Sequence, residues 1–77
     1  MKVKIYSTPS CTWCHRTKDF LKENKISFED IDVSTNAKAR DEMVSKSGQL
    51  GVPVIETGKE ILIGFDETKL RKLLNIK

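Results

Sequence analysis

Two cysteines three positions apart, Cys11 and Cys14, constrain this chain more than any other feature of its sequence. They are its only cysteines, and they fall between a short apolar run, Val3-Lys4-Ile5-Tyr6, and a helix-like run from Arg16 to Asn24. The spacing suits the head of a helix. With Cys11 in the first turn, Cys14 lies almost one turn further on, at a Cα separation on the order of 5 Å, inside the window a disulfide needs. Such a pair closes and opens with little backbone movement. The fold must therefore bring a strand end and a helix start to the same place.

That position makes the two sulfurs unequal. Cys11 is expected where helix amides point outward unsatisfied and the macrodipole is positive, which favours a thiolate. The local charge agrees, since Lys2, Lys4, Arg16 and Lys18 all precede or neighbour the first acidic residue, Asp19. Cys14, one turn in, is expected to be more buried and to stay a thiol until it is needed. The pair reads as an attacking Cys11 and a resolving Cys14 in thiol–disulfide exchange.

Three other readings share these residues. Two half-buried structural cysteines can fall at this spacing by chance. Half of a zinc site is conceivable with His15 and Asp19 or Glu23, but structural zinc wants four protein ligands and there is no second Cys or His cluster. Cys11-Thr12-Trp13-Cys14-His15 also matches the c-type haem attachment pattern. That chemistry needs an export signal and an axial partner, for which Met43 is the only sensible candidate. The strand before the motif and the strands late in the chain do not suit a helical haem protein. His15 reads instead as a solvent-facing helix residue whose imidazolium form would add positive charge near Cys11.

The chain has 77 residues, 38% hydrophobic and 32% charged, which suits one small domain over residues 1–77. Its net charge of +3 is spread among interleaved Lys, Asp and Glu, so no basic patch argues for nucleic acid. Met1-Lys2-Val3-Lys4 does not lead into a signal core, and no stretch approaches the ~18 apolar residues of a membrane span. A cytoplasmic location follows as an expectation, and in that compartment a lone cysteine pair is catalytic more often than structural.

In chain order, Lys2 to Ser7 reads as a strand, with Val3 and Ile5 facing one way and Lys4 and Tyr6 the other. Lys4 is expected to lay its stem along the core edge and reach water with its amine. Thr8-Pro9-Ser10 is a turn, with Ser10 as helix cap. The helix from Cys11 to Asn24 points Cys14, Thr17, Phe20, Leu21 and Asn24 inward, leaving Trp13 partly exposed as an apolar platform beside the reactive sulfur. Ile26 to Val33 reads as an eight-residue alternating strand. Ser34-Thr35-Asn36 offers a cap for a helix from Ala37 to Lys46, with Ala39, Met43 and Val44 inward and Gly48 as the stop. This strand–helix–strand order implies parallel pairing of the first two strands through a right-handed crossover. Val52 to Glu56 and Glu60 to Ile63 form a hairpin around Thr57-Gly58-Lys59. Asp66 caps a last helix, Glu67 to Leu74, with Leu70, Leu73 and Leu74 as its apolar stripe.

With those elements in place, the chain resembles the glutaredoxin family, within the thioredoxin fold. The resemblance rests on the cysteine pair at the first helix, on Val52-Pro53 opening the third strand, and on Gly64-Phe65-Asp66 before the last helix. It spans essentially the whole chain. It implies an α/β fold of order βαβαββα with a four-stranded mixed sheet, and a cis peptide bond at Pro53 facing the cysteines. It also implies a substrate site at Thr8, Thr12, Trp13, Val52, Pro53, Gly64, Phe65 and Asp66, with Val52 presenting main-chain groups to an extended thiol substrate.

The implied activity is disulfide reduction through a redox-active Cys11/Cys14 pair, with no bound cofactor or metal, a disulfide-bearing protein as client, and a monomeric carrier. Glutathione-using members of the family place a lysine where this chain has Thr8, Pro-Tyr where it has Thr12-Trp13, and paired glycines where it has Ile63-Gly64. In these respects the chain is more similar to the small glutaredoxin-like redoxins that a thioredoxin reductase recharges. Glutathione as co-substrate is the alternative donor. A second alternative is an iron–sulfur cluster carrier, two chains sharing a centre through Cys11.

Overall fold

The computed structural model describes residues 3–58 and 60–76. The expected strand start at Lys2 and the turn residue Lys59 lie outside the described residues. Seven elements follow in order: β1 (Val3–Ser7), α1 (Thr12–Glu23), β2 (Glu29–Asp32), α2 (Ala37–Ser47), β3 (Val54–Thr57), β4 (Glu60–Ile63) and α3 (Glu67–Leu73). The strands form one mixed sheet in the order β2-β1-β3-β4. β1 runs parallel to β2 and antiparallel to β3, and β3 and β4 form an antiparallel hairpin. This is the thioredoxin fold, of α/β class.

Strand parity divides the core in two. Val3, Ile5, Ile55 and Leu62 pack with Phe20 and Leu21 of α1 and Leu70 of α3. Tyr6 and Val54 take the opposite face with Val33 and with Ala39 and Met43 of α2. The sheet is therefore sandwiched, α1 and α3 against one side and α2 against the other, so each face of β1 is apolar. Fully burying a side chain such as Leu21 or Ile55 contributes about 1.5–3 kcal/mol. Lys4, on the α2 face, is half-buried at the rim of a polar hollow with Glu29 and Lys38.

The helix ends follow local chemistry. Asn36 caps α2 by accepting from the Ala39 N–H at 3.0 Å, and Gly48, at φ 76°, closes it in the left-handed region where a Cβ would be strained. Asp66 caps α3 through the Lys69 N–H at 3.1 Å. α1 departs from expectation: its cap is Cys11, not Ser10, for a reason that belongs to the site below.

β2 also departs from expectation. It spans four residues rather than eight, and the sequence around it does not keep one alternation. Ile26 and Phe28 pack on the α1/α3 face, whereas Ile31 and Val33 pack on the α2 face. Apolar parity switches at Glu29-Asp30, and that switch turns Asp30 toward the α1 side of the sheet.

Candidate active site

β1 ends at Ser7, and a short turn carries the chain into α1. The Cys11 N–H donates to the Thr8 carbonyl at 3.3 Å, and the Cys11 carbonyl accepts the His15 N–H at 3.2 Å. Cys11 itself is extended, at φ −85° and ψ 111°, and its Sγ accepts the Cys14 N–H at 3.1 Å. The sulfur thus takes the place that a serine or aspartate oxygen takes in most helix caps, which displaces Ser10 from that role. His15 folds back over the turn, its Nε2–H donating to the Pro9 carbonyl at 2.7 Å.

Both cysteines are free thiols, Cys11 partly exposed and Cys14 fully buried. The Cys14 thiol is pushed up to about 12, first by burial, then by its hydrogen bond with Cys11 and by the charge of Cys11. The main-chain N–H of Thr8 and the ammonium of Lys18 pull the other way without prevailing. Cys14 therefore stays protonated in the reduced protein at neutral pH, as its place in the sequence suggested.

Next to the pair is a shallow cleft of about 200 Å³ lined by Trp13, Val52, Pro53, Gly64 and Phe65. The Val52–Pro53 peptide bond is cis. The Gly64 N–H donates to the Pro53 carbonyl at 2.8 Å and ties the two loops that floor the cleft. Among the described residues, no hydrogen bond reaches the main-chain N–H or C=O of Val52. Trp13 is 55% exposed yet held on both sides. The Arg16 guanidinium lies 5.2 Å over its ring, and Phe65 flanks it at 6.3 Å. Phe65 in turn meets Phe20 edge-on at 5.6 Å, which anchors the platform in the core.

Of the residues expected at the site, the structure thus gathers Trp13, Val52, Pro53, Gly64 and Phe65 around one cleft. Thr8 holds Cys11 through its carbonyl, Thr12 is an exposed first residue of α1, and Asp66 is engaged in capping α3. Arg16, Ser7, Lys18 and Asp30 were not singled out as site residues from the sequence. Lys18 carried a signal, at one helical turn from Cys14, but Asp30 needed the strand register. Among the described residues, no three His, Cys, Asp or Glu side chains gather as a metal site, and no helix is long and apolar enough to cross a membrane.

Known proteins are similar to this chain in sequence and fold. The sequence model of the family described as glutaredoxin matches residues 3–62. The uncharacterised glutaredoxin-like 8.6 kDa protein in the rubredoxin operon of Clostridium pasteurianum is 47% identical over 72 residues, 94% of this chain and 96% of that one. Glutaredoxin 3 of Escherichia coli K12 is 35% identical over 65 residues, 84% of this chain and 78% of its own length. A mutant of the thioredoxin-like protein BC3987 superposes with a TM-score of 0.93 at 34% identity, covering 99% of this chain and 97% of that one. A Cys-x-x-Cys pair at the head of α1, a cis-proline loop beside it and matches over most of the length lead to one conclusion: the chain belongs to the glutaredoxin family of redox proteins.

Proposed function

We propose that the chain is a dithiol carrier that reduces disulfides in client proteins, Cys11 attacking and Cys14 resolving. The observation that carries this reading is the inequality of the two sulfurs. Cys11 is partly exposed at the helix head, whereas Cys14 is buried with its thiol pushed up to about 12. Cys11 thiolate attacks the client disulfide, and the departing client sulfur leaves as a thiolate. The mixed disulfide rests against Trp13 with its peptide along Val52. Cys14 then loses its proton and attacks Cys11, the second client sulfur leaves, and the Cys11–Cys14 bridge holds the two-electron oxidation.

The electron donor in this reading is a thioredoxin-reductase-like enzyme in preference to glutathione, because Thr8 offers no cation to a glutathione carboxylate. No resident cofactor takes part. The carrier works as a monomer in the cytoplasm, and its site has no need of nucleic acid or membrane.

Two variants test the mechanism. Cys14→Ser should accumulate a covalent client adduct on Cys11, seen by intact mass, and Cys11→Ser should lose exchange activity. Full activity in Cys11→Ser would end this reading. NADPH consumption with thioredoxin reductase, compared with glutathione plus glutathione reductase, tests the donor. Turnover with glutathione alone would reverse the preference.

A further inference from the structure

On the face of the sheet that packs against α1 and α3, Val3 and Ile5 are core residues, but the end of β1 is polar. Ser7, only 2% exposed, donates from Oγ to Asp30 Oδ1 at 2.8 Å. Lys18 of α1 donates from Nζ to Asp30 Oδ2 at 3.0 Å. With Pro9, His15 and Asp32, these three wall a cleft of about 260 Å³, separate from the one beside Trp13. Lys18 follows Cys14 by four residues, so the two share one side of the helix, a turn apart.

An inward carboxylate on an edge strand has an ordinary use, since it discourages pairing with another sheet. That accounts for Asp30 but not for the burial of its partner. The Lys18 side chain is 14% exposed and that of Asp30 46%, so the cation is the drier end of the pair. Asp30, itself held by Ser7, draws the ammonium of α1 toward the edge of the sheet, and water screens the carboxylate more than it screens the ammonium. Lys18 thereby places a cation on the inner side of α1, opposite Asp30 and with the Asp32 carboxylate lining the same cleft. Cys14, fully buried on that helix, is the group that must become anionic there.

We propose that Lys18, pinned by Asp30 (which Ser7 holds in turn), is a positioning residue for resolution: its ammonium supports the negative charge on Cys14 as that sulfur attacks Cys11. This inference rests on the roles given above to Cys11 and Cys14. In the step it assists, the Cys14 proton passes to solvent and its sulfur electron pair forms the bond to Cys11. The bond from Cys11 to the client breaks, and the client sulfur leaves with that pair and is then protonated. The charge of Lys18 does favour the Cys14 thiolate, in keeping with this role. His15, which lines the same cleft, has its Nε2–H committed to the Pro9 carbonyl.

The test separates the two half-reactions. Reduced protein is mixed with bis(2-hydroxyethyl) disulfide, quenched in acid at intervals and weighed intact, so that formation and decay of the Cys11 adduct are timed separately. Lys18→Met keeps length and helix preference. It should leave adduct formation within about twofold and slow adduct decay by about tenfold or more, and Lys18→Arg should return decay to within about threefold of the parent. The proposal is overturned if Lys18→Met clears the adduct at the parent rate, if both steps slow together, or if Lys18→Arg decays no faster than Lys18→Met. A parent protein that forms no adduct on Cys11 overturns the dithiol mechanism itself and this inference with it.

Discussion

At Cys14 the forces on the thiol divide into those that belong to Cys11 and those that do not. Burial is the largest, and it persists whatever the partner does. The hydrogen bond with Cys11 comes next, and the charge of Cys11 ranks after the opposing Thr8 N–H; both contributions of Cys11 change when it becomes joined to a client. The neutral disulfide sulfur no longer repels a neighbouring thiolate, while the Thr8 N–H and the Lys18 ammonium still support one. Under the proposed dithiol mechanism, Cys14 is held back more strongly in the free dithiol than in the mixed disulfide, which would order the two steps. The reduced protein should reflect that order toward an alkylating agent. With iodoacetamide at pH 7, labelling of Cys11 should outpace labelling of Cys14 by at least about tenfold, because the thiolate is the reacting species. Peptide mapping after brief exposure reads this directly, and equal labelling of the two residues would refute the ordering.

α1 begins on a sulfur, and this couples the chemistry to the stability of the element. The helix has no acidic residue in its first turn, so Cys11 is the side chain that satisfies an orphan N–H there. A serine at the same position can accept the Cys14 N–H, whereas an alanine cannot. Reduced Cys11→Ser should therefore exceed Cys11→Ala in stability by about 1 kcal/mol, measured by urea unfolding. Equal midpoints would show that the sulfur is not acting as a cap. The comparison also shows why the sequence pointed to Ser10. Serine outranks cysteine as a cap by intrinsic preference, and only the geometry of the turn, with the Cys11 N–H closed onto the Thr8 carbonyl, hands the role to the next residue. α2 and α3 were legible to within one residue at their ends. Asn36 with Gly48 bracketed α2 despite its thin apolar stripe, and Asp66 with the Leu70 stripe marked α3.

Across the whole molecule, element order, parallel pairing of β1 and β2, the hairpin and the Trp13–Val52–Pro53–Gly64–Phe65 cleft were all readable from patterns within single elements plus the family resemblance. What was not readable depends on register between elements. The break in alternation is visible in the sequence as two consecutive polar residues, Glu29-Asp30, but that it brings Ser7, Lys18 and Asp30 together shows only once β2 is paired with β1. The buried thiol leaves a signature at this scale too, in the pH dependence of folding. In the unfolded chain Cys14 loses its proton near its ordinary value of 9.0, whereas the native reduced protein holds it to about 12. Between those values the unfolded state binds fewer protons than the native state, so raising the pH favours unfolding. The contribution is fully present below about pH 9 and is lost progressively toward about pH 12. Urea midpoints of the reduced protein should accordingly fall with pH across the lower part of that window more steeply than those of Cys14→Ser. The variant keeps Tyr6 and the lysines, so its own slope measures their share and the difference isolates the thiol. Parallel slopes for the two proteins would mean that Cys14 ionises as readily folded as unfolded, and the ordering of the two sulfurs would lose its basis.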